Sequence, residues 1–83
     1  METIKEILEK KNIEIQDLIT CCESVKKNGD ILVIKFDGQR VEEQYTAFIT
    51  FPIQKSEMIR VDDKDLKSAL IKLLNKYISL SYP

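Results

Sequence analysis

The chain has 83 residues, 43% of them hydrophobic and 33% charged, with only two glycines and two prolines. That is the make-up of one small globular domain spanning 1–83, with no room for a flexible linker, a repeat array or a low-complexity tract. Thirteen basic residues stand against fourteen acidic ones, for a net charge of -1 and a pI near 5.4, so the chain lacks the basic field that phosphate contacts require.

Neither sign clusters. Residues 1–30 hold five lysines against seven acids, residues 31–61 four charges of each sign, and residues 62–83 four lysines against three aspartates. The opening Met1-Glu2-Thr3-Ile4-Lys5-Glu6 has no apolar signal-peptide core, and no run approaches the roughly 20 apolar residues of a membrane span. These features place the chain in the cytoplasm as an expectation. Its Lys- and Ile-rich composition goes with a bacterial or phage source by association alone.

The first 27 residues read as helical. Ile4, Ile7 and Leu8 form one apolar stripe, and Ile15, Leu18, Ile19, Cys22 and Val25 form a second. The two stripes join in register only if Lys11 faces the core, which favours a break near Lys11–Glu14 and two helices over one long one. Asn28-Gly29-Asp30 closes the region, with Gly29 available for a left-handed cap. Adjacent Cys21 and Cys22 are poorly placed to bond to each other and too few for a metal site, so two reduced thiols are expected.

Three strands follow. Ile31–Phe36 is the first, with Leu32, Ile34 and Phe36 on one face and Ile31, Val33 and Lys35 on the other. Asp37-Gly38 is a turn signal, and Gly38 to Gln44 is either a loop or an extension of the hairpin with Val41 inward. Tyr45–Phe51 is the second strand, stopped by Pro52. Its face of Tyr45, Ala47, Ile49 and Phe51 is wholly apolar, whereas the opposite face is Thr46, Phe48 and Thr50. Met58–Val61 is the third strand, with Met58 and Arg60 outward.

The last element is the clearest. Leu66, Ala69, Leu70, Leu73, Leu74, Tyr77 and Ile78 follow helical spacing, which predicts a helix at about 63–79 capped by Asp62 or Asp63. Leu80 and Tyr82 beyond it are positioned to fold back onto the body. The order is therefore α(α)-β-β-β-α, an α+β fold of two layers with a three-stranded antiparallel meander and helices packed on one face.

Catalytic equipment is sparse. Histidine is absent, so the usual general base near neutral pH is missing. The glycines are isolated and make no phosphate loop. Glu42-Glu43 reads as a solvated loop and Asp62-Asp63 as a helix cap. Arg60 is expected to pair with Glu57 or Asp62. No enzyme activity, cofactor or metal is expected.

The αβββα order resembles the double-stranded RNA-binding domain. That resemblance implies RNA contacts from the first helix, the loop after the first strand and a basic start to the last helix. The corresponding positions here, Glu42-Glu43 and Asp62-Asp63-Lys64-Asp65, are acidic. A second likeness covers Tyr45 to Tyr77: the strands followed by Asp65-Leu66-Lys67-Ser68-Ala69-Leu70 look like the partial domain of HicB-type antitoxins, without the glycines that precede the helix there.

The functional expectation rests on Phe48. A large aromatic on a polar strand face is unremarkable alone, but Val33 and Met58 share that face and Arg60 borders it. Val33, Phe48, Met58 and Arg60 are the candidate partner-binding residues of a small interaction module, a homodimer or an inhibitor-, immunity- or antitoxin-like binder. Nucleic-acid binding is the alternative. One further arrangement removes the interface altogether: if the N-terminal region splits, one of its helices could cross the sheet and bury Phe48.

Overall fold

The computed structural model describes residues 3–53 and 57–80. In chain order the elements are α1 (Ile4–Leu8), α2 (Ile15–Lys27), β1 (Ile31–Phe36), β2 (Tyr45–Thr50), β3 (Ile59–Asp63) and α3 (Leu66–Leu80). The sheet is antiparallel in the order β1-β2-β3, as the short connections require.

The N-terminal region does break. Thr3 and Glu6 form a reciprocal capping box that starts α1, with the Glu6 amide donating to Thr3 Oγ1 and the Thr3 amide donating to Glu6 Oε1 at 2.8 Å. The chain leaves helical geometry after Leu8 and re-enters it at Ile15, where Asp17 accepts the Glu14 amide at 2.9 Å and pairs with Lys10 at 3.1 Å. Gly29, at φ +89°, turns the chain out of α2, the left-handed role expected of it.

The α2 stripe sits differently from its sequence expectation. Leu18, Cys21 and Val25 are buried, Cys22 is half-buried, and Ile15 and Ile19 are 45% and 47% exposed. The helix is rotated so that Cys21 enters the core and the two isoleucines flank it. Both placements satisfy helical spacing, because Ile15, Leu18, Cys22 and Val25 overlap with Leu18, Cys21 and Val25 within one turn of the wheel.

The other end is also corrected. Asp62 and Asp63 belong to β3 and not to a helix cap, so α3 starts at Leu66. Asp65 caps it by accepting the Ser68 amide at 2.8 Å, while Asp63 accepts the Asp65 amide at 3.1 Å. Met58 falls just outside β3, and β2 ends at Thr50. Ser79 and Leu80 continue α3, and Leu80 is exposed and not folded back; Tyr82 lies outside the described residues.

All three helices contribute to one core with one face of the sheet. Ile4, Ile7, Leu18, Cys21 and Val25 share one buried cluster with Ala47, Ile49, Phe51 and Val61, and the α3 stripe Ala69, Leu70, Leu73, Leu74 and Tyr77 completes it. Each fully buried Leu or Ile contributes about 1.5–3 kcal/mol over its exposed state. The phenol of Tyr77 is a polar link within that core. Its hydroxyl donates to Asp30 Oδ2 at 2.7 Å and accepts from Asn28 Nδ2 at 2.9 Å, while its ring stacks on Phe51 at 6.0 Å. The result is a slab of 37 × 33 × 17 Å, a helix layer on a sheet layer.

Candidate functional site

The strand register places the outward residues in rows. Val33 pairs with Phe48, and Phe48 with Arg60. In the next row Lys35 pairs with Thr46, and Thr46 with Asp62. On the other side Ile31 pairs with Thr50. The row through Phe48 is therefore Val33–Phe48–Arg60, which moves Met58 out of it. Met58 lies two positions before Arg60, on the side of the Ile31–Thr50 row, and is half-exposed. The antiparallel register of β2 against β3, which pairs Ile49 with Ile59, accounts for the shift.

Phe48 is half-buried by its strand neighbours and stands outside the core cluster, and Val33 is 36% exposed. On the opposite face α2 packs against β1 and α3 against β2 and β3, while α1 packs on α2 and α3. The arrangement in which a helix crosses to bury Phe48 is thus not the one adopted.

The outward face has two halves. Its apolar half is Ile31, Val33 and Phe48, bordered by Met58. Its polar half is built on Asp62, whose carboxylate accepts from Arg60 Nε at 3.1 Å, Arg60 Nη2 at 3.2 Å, Arg40 Nη1 at 2.8 Å and Thr46 Oγ1. Arg60, Thr46 and Arg40, in that order of effect, hold the Asp62 carboxyl well below the usual carboxylate range. Arg40 reaches this cluster from the β1–β2 loop and lies against Thr46, which is buried although it faces outward.

That loop is a true loop and not an extended hairpin. Val41 is 94% exposed, and Glu43 takes φ +51°. Gln44 Nε2 donates to the Arg40 carbonyl at 2.6 Å, and Glu43 lies 3.8 Å from the Arg40 guanidinium. The loop therefore serves to carry Arg40 onto the sheet. Sequence reasoning missed Arg40 and Thr46 as partners of Asp62, because a loop side chain reaching back six residues has no periodic signature.

Arg60 pairs with Asp62, as expected, but remains 52% exposed at its side chain. Its bonds to Asp62 use two of the five guanidinium N–H donors. The group lies at the border between the apolar and polar halves, where a planar donor suits a carboxylate or carbonyl acceptor.

A shallow concavity of about 550 Å³ lies at the far edge, lined in part by Glu42, Glu43, Asp62, Asp63 and Lys72. Lys72 pairs with Asp63 at 2.7 Å and lowers its carboxyl. Both aspartates there are consequently ionised at neutral pH. Cys22 is the half-buried thiol, and burial pushes its pKa up, away from thiolate chemistry. Among the described residues no group of three or more His, Cys, Asp or Glu side chains is arranged to hold a metal, and no helix is long and apolar enough to cross a membrane.

Compared with known proteins, the chain matches no family model, no curated protein and no solved structure.

Proposed function

We propose that this chain is a non-enzymatic protein-interaction module that binds its partner through the outward sheet face. Val33 and Phe48 form the apolar centre, Met58 extends it, and Arg60 supplies polar donors at its border. The observation that carries this reading is the uncovered row Val33–Phe48–Arg60 on a face whose opposite side takes the helices. Binding energy at interfaces concentrates in a few buried aromatic and arginine anchors, the residue types that meet here.

The acidic flank restricts the partner. Asp62 is held ionised within the cluster, and Glu42 and Glu43 stand exposed beyond it. A partner fits best with an apolar pocket for Phe48 and an acceptor group opposite Arg60. Substituting Phe48→Asp tests the reading: circular dichroism is retained, and binding to the protein that co-purifies with the native chain is lost. Retention of that protein by Phe48→Asp would remove the face from the function.

A further inference from the structure

The two edges of the sheet differ. At the β3 edge, three of five residues are charged, and Lys76 Nζ donates to the Arg60 carbonyl at 3.3 Å. Lys72, from the same helix, is anchored on Asp63. Two lysines thus sit along this edge, the usual protection against pairing with another strand.

The β1 edge has no such guard among the described residues. Its sequence Ile31-Leu32-Val33-Ile34-Lys35-Phe36 has one charge, no proline and no bulge. The Asp37 amide donates to the Gln44 carbonyl at 2.7 Å, which fixes the hydrogen-bonding phase of the β1–β2 ladder. Alternation then turns Ile31, Val33 and Lys35 toward β2, and leaves the backbone groups of Leu32, Ile34 and Phe36 directed away from the sheet. The same alternation carried across β2 turns the Arg60 carbonyl to the outer side of β3, where Lys76 meets it.

Alongside this edge runs the exposed flank of α2. Ile15 and Ile19 are the two isoleucines rotated out of the core, and a groove of about 330 Å³ bounded by Ile19, Cys22, Ile31 and Leu32 joins helix to strand. Phe36 continues the apolar line, 66% exposed and packed edge-on against Tyr45 at 5.2 Å. The exposed charges of the groove are one internal pair, Glu23 with Lys26 at 2.7 Å, and its third charged residue, Asp30, is buried and accepts the Tyr77 hydroxyl; at the far end of β1, Lys35 pairs with Asp37 at 3.5 Å.

We propose that the β1 edge and the α2 flank bind a second copy of this chain about a two-fold axis, joining two three-stranded sheets into one of six strands. An antiparallel edge is self-complementary: Leu32, Ile34 and Phe36 of one copy offer both donors and acceptors to the same residues of the other. The exposed charges are paired and Asp30 is buried, so two identical flanks present no unpaired surface charge of one sign to each other. One edge strand and one helix flank make a small interface, so the dimer dissociates on dilution. This surface meets the outward face only at Ile31 and leaves Phe48 open on both copies.

The test is the mass of the intact chain by light scattering, from about 10 μM to about 1 mM. The expected mass rises from 9.7 kDa toward twice that value. Ile19→Glu and Phe36→Pro weaken the association at least ~tenfold, since one buries a charge and the other removes an outward amide. Phe48→Asp leaves the association unchanged. Amide exchange of the wild type, read at Leu32, Ile34 and Phe36, slows as the concentration rises and needs no variant to fold. A mass of 9.7 kDa throughout, a dimer that survives both edge variants, or fast exchange at those three amides in the doubled species overturns the proposal. Loss of the dimer in Phe48→Asp alone would overturn it while supporting the outward face as an interface.

Discussion

Phe48 and Ile49 are adjacent, yet they should respond very differently to truncation. Ile49 is fully buried in the core, where Ile→Ala costs about 2–5 kcal/mol through lost transfer energy and the residual cavity. Phe48 is half-buried on the uncovered face, so Phe48→Ala forfeits roughly half of the 1.5–3 kcal/mol of a fully buried side chain. Adding up to ~1 kcal/mol of strand propensity gives about 1–2 kcal/mol for Phe48→Ala. Urea unfolding at low protein concentration measures both, with the slope m unchanged, because association would otherwise add to the apparent stability. A cost for Phe48→Ala of about 3 kcal/mol or more, equal to that of Ile49→Ala, would mean that Phe48 is enclosed in the monomer. The outward face could not then be the binding surface.

Three other variants test the supports of the fold. Tyr77→Phe removes the hydroxyl that joins Asn28 to buried Asp30, and is expected to cost about 1–3 kcal/mol in urea unfolding; no loss would show that Asp30 is satisfied without it. Gly29→Ala forces a side chain into φ +89° and sets its Cβ 3.1 Å from Ile53 Cδ1, at a cost of about 1–2 kcal/mol in the same assay; a neutral result would contradict the left-handed turn. Asp62 has its folded pKa depressed, so its contribution is complete above the unfolded value of about 3.9 and is lost as pH falls through the folded value. The stability gap between wild type and Asp62→Asn is therefore flat from about pH 5 to pH 8 and closes below about pH 4; a gap that narrows near neutrality would contradict the ionised cluster.

What the sequence reveals here follows from which patterns are periodic. The α3 stripe, the break after α1, the left-handed Gly29 and the order of the three strands are local features, each legible from spacing or from one residue's conformational freedom. The rotation of α2 is not legible, because Cys21 and Cys22 are adjacent and of equal hydrophobicity. Only the packing of α2 against α1, α3 and β1 selects one of them. Asp62-Asp63 misled for a related reason, since a pair of aspartates before a helical stripe looks the same at the end of a strand as in a cap. The outward face was visible as Phe48 between two threonines. Its partners depended on register, and register put Arg60 and not Met58 beside Phe48. Arg40 joins the site through a loop fold that no spacing encodes.

The claim that the outward face binds a protein partner is tested most directly by a side-by-side affinity purification of the wild type and Phe48→Asp from the cells that make the chain. Both are first shown to have the same circular dichroism. The expected result is a protein recovered in stoichiometric amount with the wild type and missing with Phe48→Asp. Equal recovery of the same protein with both would contradict the account.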